Sequence, residues 1–103
     1  MQEKLLKIIN HFGITTQQRK LQEEIFELNE AITTHELKQS VEYEIPLTEL
    51  IGTKEHIEEE LADVYNLLGQ IIEYYDIDAD KLIDMVDYKV KRTLDRIKSG
   101  YYK

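Results

Sequence analysis

Apolar residues recur at helical spacing in four stretches of the chain. Leu5, Ile8, Ile9 and Phe12 share one face of a short first segment from about Gln2, and Gly13 predicts its stop. Thr15 followed by Gln18 predicts a capping box that opens a second helix, whose stripe is Leu21, Ile25, Leu28 and Ile32 and which runs to about Leu37. Thr53 predicts the N-cap of a third helix reaching about Tyr75, with Ile57, Leu61, Val64, Leu68, Ile71 and Tyr75 along one side. Asp78 predicts the cap of a fourth, which ends near Lys98 before Gly100 and buries Leu82, Ile83, Val86, Val90, Leu94 and Ile97. Between the second and third helices, residues 39–52 lose this period. Val41-Glu42-Tyr43-Glu44-Ile45-Pro46 alternates apolar and polar positions and reads as an extended arm or a short strand. Long single-stripe helices with short connections predict an all-α fold, an antiparallel helical bundle of about four helices forming one domain over 1–103.

The chain has 103 residues, so its capacity to bury a core alone is modest, and the expectation is a homodimer or homotetramer. With no cysteine, neither a disulfide scaffold nor a thiolate zinc site can form. The amino terminus lacks the apolar core of a signal peptide and no apolar run approaches a membrane span, which predicts a cytoplasmic protein. A net charge of −8 opposes general attraction to nucleic acid or anionic membranes. A small phosphorylated ligand is still admitted, because a metal ion reverses the field at an acidic site.

Acidic residues number 21, enough for about four chance pairs at spacing i, i+3; the chain has six. Spacing alone therefore decides nothing, and position relative to the apolar stripe does. Counting about 100° per residue, Glu60 lies about 60° from the centre of its stripe and Asp63 about 120°, while Glu24 and Glu27 lie about 70° and 130° from theirs in the same rotational sense. The pairs Glu27/Glu30, Glu55/Glu58, Glu73/Asp76 and Asp84/Asp87 turn further outward and read as solvated faces. A carboxylate at a core edge is unfavourable unless a cation or hydrogen bond compensates it. Two helices carrying Glu24/Glu27 and Glu60/Asp63 could thus surround a hard cation such as magnesium with oxygen ligands.

On one flank of the fourth stripe, Lys89, Arg92 and Arg96 fall within about 60° of one another. They read equally as cations offsetting the helix dipole or as a phosphate-binding edge. His11, His35 and His56 look isolated on the surface, and no Glu-x-x-His pair of the di-iron type exists. Ser40 and Ser99 sit in polar, loop-like surroundings, and there is no glycine-rich phosphate loop. Tyr65, Tyr75 and Tyr88 are expected to pack at or rim the core, with base stacking as the alternative for Tyr65.

Lys20-Leu21-Gln22-Glu23-Glu24-Ile25-Phe26-Glu27 followed by Glu60-Leu61-Ala62-Asp63 resembles the E-E-x-x-E … E-x-x-D signature of MazG-like, all-α nucleoside triphosphate pyrophosphohydrolases, and Lys89-Val90-Lys91-Arg92 resembles the K-x-x-R segment of the family's last bundle helix. The resemblance spans most of the chain. It implies cleavage of a nucleoside triphosphate between the α and β phosphates to give monophosphate and pyrophosphate. It also implies Mg2+, with Mn2+ as a substitute, held by Glu24, Glu27, Glu60 and Asp63. Lys89 and Arg92, with Arg96 beside them, would contact phosphates. Glu23 would stand behind the ligands or orient the attacking water, so Glu23 and Glu24 are the catalytic candidates. The 32 residues between Glu27 and Glu60 exceed the family's usual spacing, and the excess maps to the irregular segment, read as an oligomer arm or a substrate lid.

Two other functions fit the same residues. A histidine-biosynthesis branch of the family acts on phosphoribosyl-ATP, and the motifs do not separate it from the nucleotide-pool branch. A non-enzymatic acidic helical interaction module is the alternative outside catalysis.

Overall fold

The computed structural model describes residues 2–102, and among them the fold is all-α with four helices and no strand. These are α1 (Gln2–Phe12), α2 (Ile14–Gln39), α3 (Leu47–Tyr74) and α4 (Ala79–Lys98). Gly13 separates α1 from α2 with φ of 90°, a left-handed conformation that suits glycine. It also occupies the N-cap position of α2, which starts at Ile14 without any side-chain cap. The predicted Thr15/Gln18 capping box is therefore not formed: both residues are already inside the helix. Asp78 does cap α4, its Oδ1 accepting from the backbone N–H of Asp80 at 2.9 Å and of Lys81 at 3.2 Å.

The largest departure from the sequence reading lies between α2 and α3. Residues 40–45 form turns, and α3 begins at Leu47, immediately after Pro46, whose fixed φ suits a helix entry. No extended arm or strand forms there. Thr53 is interior to α3, where its hydroxyl donates to the Leu50 carbonyl at 2.9 Å and pairs with His35 Nδ1 at 2.8 Å. The alternating pattern of Val41 to Pro46 was too short to specify a strand with no partner to pair with. Most of the residues between the two acidic motifs are instead helical, divided almost evenly between the end of α2 and the beginning of α3 in one helical hairpin.

Pairs across that hairpin run in opposite directions along the two helices: Lys38 with Glu49, His35 with Thr53, and Gln17 with Gln70. The helices are thus antiparallel. Gln17, Glu24 and Ala31 are buried in α2, while Glu60, Leu67 and Gln70 are buried in α3. The seven-residue interval of the α2 positions keeps them on one narrow line facing α3. Leu21, Leu28, Ile57, Val64 and Ile71 flank the seam half-buried. Ile25, Ile32, Leu61 and Leu68, expected in the core, remain about 40% exposed. Equal rotation from the seam on two antiparallel helices leads to the same side of the layer, so these four residues share one face and Glu27 and Asp63 share the other.

α1 packs mainly on α3 and less on α2. Leu5 lies against Gly69, where a Cβ would stand 2.9 Å from Leu5 Cδ1, so the lack of a side chain at Gly69 sets this close approach. Ile9 is wholly buried.

α4 departs from the bundle. It packs against none of the other helices over more than a marginal contact and buries no residue. Ile83, Val86, Val90, Leu94 and Ile97, predicted to be core, are 51–60% exposed, and Leu82 is half-buried. Tyr65, Tyr75 and Tyr88 are exposed as well, contrary to their expected packing. α3 ends at a left-handed Asp76, φ 51°, with the Ile77 N–H donating to the Ile72 carbonyl, and the amphipathic stripe of the α4 that follows has nothing within the chain to cover it. The radius of gyration is 17.8 Å, against about 13 Å for a compact domain of this length. No helix is long and apolar enough to cross a membrane.

The packing at Gly69 sets opposing effects. Gly69→Ala should be nearly neutral, because the flexible end of Leu5 can yield and alanine adds helix propensity of about 1 kcal/mol. Gly69→Leu should lose about 1–3 kcal/mol by overpacking α1 against α3. Urea unfolding of the two variants beside wild type checks both.

Candidate metal centre

Glu24 and Glu60 meet within the α2–α3 seam. They are 5% and 8% exposed, so each helix delivers a carboxylate into the interface rather than to its edge. Asp63, one turn after Glu60, reaches the same point from the acidic face. Glu24, Glu60 and Asp63 each offer an oxygen within 4.8 Å of the others, a spacing suited to three ligands of one cation.

Two carboxylate oxygens of these residues, Glu24 Oε2 and Glu60 Oε2, are buried without a hydrogen-bond partner. Buried polar atoms are normally paired, and an unpaired carboxylate is among the costliest exceptions. Burial is the main reason that the Glu60 carboxyl is pushed above the ordinary glutamate range, with the charge of Glu27 next. His56 opposes these effects, while Asp63 and Glu24 add to them. A divalent cation would supply the positive charge that this group of carboxylates lacks, so the donor set fits a hard metal ion.

The positive charge already present comes from Lys20. Its Nζ is 3.0 Å from Glu24 Oε1 and 3.9 Å from Glu23 Oε2. The hydrogen bond to Glu24, followed by that carboxylate's charge, raises the Lys20 pKa. Glu23 itself is solvent-exposed and stands outside the buried cluster.

The sequence-derived site is brought together in part. Glu24, Glu60 and Asp63 converge; Glu27 is adjacent, acting on Glu60 through its charge and lining with it, Glu30, Thr34 and His56 a cleft of about 350 Å³. A second cleft of about 170 Å³ is lined by Gln17, Lys20 and Glu24 of α2 and by Asp63, Asn66 and Gln70 of α3. Lys89, Arg92 and Arg96 are not brought to the carboxylates. They lie on α4, where Arg92 and Arg96 border a cleft made only of that helix and the residue after it, and they stack over Tyr88 and Tyr101 at 5.8 and 4.9 Å.

Several neighbours of the site were not singled out from the sequence. Gln17 Nε2 donates to Gln70 Oε1 at 2.8 Å, and Gln70 Nε2 donates to Asn66 Oδ1 at 2.7 Å, giving a chain of amides beside the carboxylates. Gln17 precedes Glu24 by seven residues, the one linear signal that it shares the seam. His56, which looked isolated, places Nε2 3.7 Å from Glu60 Oε1, and His35, also read as a surface residue, is half-buried against Thr53.

Compared with protein-family models, with curated proteins and with solved structures, the chain matches none. The geometry of this centre is therefore the ground for any functional reading.

Burial of Glu60 gives a signed pH dependence. A carboxyl whose pKa is raised on folding contributes stability that is fully present below its unfolded value, near 4.5, and is lost as pH rises through the folded value. In metal-free protein, Glu60→Gln should therefore raise the melting temperature at pH 7, and the gain should shrink as pH falls toward the ordinary carboxylate range. Thermal unfolding at a series of pH values, in the presence of chelator, checks the sign.

Proposed function

We propose that the protein is a magnesium-dependent nucleoside triphosphate pyrophosphohydrolase, releasing pyrophosphate by cleavage between the α and β phosphates. The observation that carries this reading is the convergence of Glu24, Glu60 and Asp63 with two buried carboxylate oxygens left unpaired. It is joined by the likeness of Glu23-Glu24-Ile25-Phe26-Glu27 and Glu60-Leu61-Ala62-Asp63 to the MazG-like signature.

In this reading Glu24, Glu60 and Asp63 hold the metal, with Glu27 close enough to join them from the acidic face. When bound, Mg2+ supplies charge neutralisation on the triphosphate, which eases attack of water at phosphorus. Lys20 already makes a charge-assisted hydrogen bond to Glu24 and would fix that carboxylate's orientation. Glu23, outside the buried cluster beside Lys20, is assigned the orientation of the attacking water. Water adds to phosphorus as the bond to the bridging oxygen breaks, and pyrophosphate leaves, so no residue of the chain is modified. The amides of Gln17, Asn66 and Gln70 border the cleft and hold its wall through their mutual hydrogen bonds. Phosphate contact by Lys89, Arg92 and Arg96 requires α4 to meet a carboxylate centre that it does not reach within its own chain.

Pyrophosphate release from a panel of ribo-, deoxyribo- and modified nucleoside triphosphates and phosphoribosyl-ATP tests the proposal, with Mg2+ or chelator. The expected outcome is magnesium-dependent release that falls on the order of 10²–10³-fold in Glu60→Gln, the loss typical of removing a pre-organised electrostatic group. Activity on phosphoribosyl-ATP alone would select the biosynthetic substrate. Silence across the panel from folded protein, with Mg2+ affinity unchanged in Glu60→Gln, would leave the acidic interaction module as the reading.

A further inference from the structure

The α1–α3 body and α4 each present an apolar surface that the chain does not cover. On the body, Ile25, Ile32, Leu61 and Leu68 share the face opposite the acidic clefts; on α4, Ile83, Val86, Val90, Leu94 and Ile97 form a stripe. From their fractional exposures, these nine side chains leave on the order of 800 Å² per copy, about the area one partner contributes to a standard stable interface. Divided between the body, at about 300 Å², and α4, at about 500 Å², each patch is comparable to the largest contiguous apolar patch of a typical soluble monomer, a patch that often marks an interaction site.

Charge is divided along the same line. Residues up to 77 hold sixteen of the 21 acidic side chains and six of the 13 basic ones, whereas Lys89–Lys98 holds five cations and a single aspartate. Among the described residues, none of those five cations forms an ion pair, and every salt bridge lies within α2, within α3 or between them. Acidic body and basic helix are thus complementary but unengaged in one chain.

We propose that the occupant of these surfaces is a second copy of the chain, and that the two copies exchange α4. Each α4 lays its stripe on the partner's Ile25, Ile32, Leu61 and Leu68 face and brings the Lys89–Lys98 cations to the rim of the partner's acidic body. A symmetric pair applies the same contact twice, which closes the assembly and covers both surfaces. The exchange also explains why α4 makes no more than a marginal contact with its own body. The inference rests on the packing of the chain and on no metal or nucleotide.

Because the chain has no cysteine, cross-linking can be placed at will. Val90→Cys protein and a mass-tagged Leu61→Cys protein, mixed and incubated with a short flexible bismaleimide, should give a covalent heterodimer. A single chain carrying both cysteines, diluted below the association range, should not close on itself. Sedimentation of wild type should show at least two copies at 100 μM, and Val86→Asp/Val90→Asp should weaken association at least 100-fold with α1–α3 helicity retained by circular dichroism. A monomeric wild type, unaltered association in the double aspartate variant, or intrachain closure in place of the heterodimer would overturn the proposal. Since no outcome depends on catalysis, pyrophosphohydrolase activity and helix exchange can fail separately.

Discussion

The burial of two carboxylates in the α2–α3 seam is the constraint around which this structure is organised. Glu24 and Glu60 occupy positions that apolar side chains fill in an ordinary helical hairpin, and each retains an unpaired oxygen. Removing such groups from water is unfavourable, so the surroundings are arranged to limit the cost. Lys20 reaches forward one turn to Glu24, the small Ala31 is the next buried position of α2, and at the other end Gln17 donates to Gln70, which donates in turn to Asn66. The position is one that a bound cation would stabilise and that packing alone would not select.

That seam also divides the layer. Rotation toward Glu27 and Asp63 gives an acidic side with both clefts, and rotation toward Ile25, Ile32, Leu61 and Leu68 gives an apolar side with no cover from the same chain. Charged residues cannot be displaced from the first side without dismantling the candidate centre, and the second side cannot be left in water without losing the hydrophobic stabilisation that holds small domains together. The fully buried apolar residues are only Ile9, Ala31 and Leu67 among those described, too few for a self-sufficient core.

The hairpin between the acidic motifs shows how length is accommodated without disturbing the site. α2 continues past Glu27 to Gln39 and α3 begins at Leu47, well before Glu60. Lengthening both arms together preserves the pairing of Glu24 with Glu60, whereas lengthening one alone would slide the carboxylates past each other. Lys38 with Glu49 and His35 with Thr53 fasten the turns of the hairpin beyond the carboxylates.

The sequence by itself determined the all-α class, the bodies of the four helices, the Asp78 cap and the acidic motifs, because each depends on local periodicity or on hydrogen bonds within a few residues. It could not determine which way each helix would face. The stripe centres pointed to Ile25 and Leu61 as core and to Glu24 and Glu60 as its edge; the contact of two antiparallel helices reversed that order by centring the seam on the carboxylates. Thr15 and Thr53 had the chemistry of caps, but the helices start earlier, at Ile14 after a left-handed Gly13 and at Leu47 after Pro46. Lys89, Arg92 and Arg96 were legible as a basic edge because they share one helix. Whether that edge meets the acidic one depends on how α4 packs after the chain leaves α3, a long-range property that no local pattern of side chains announces, and only the tertiary structure shows α4 apart from its own body.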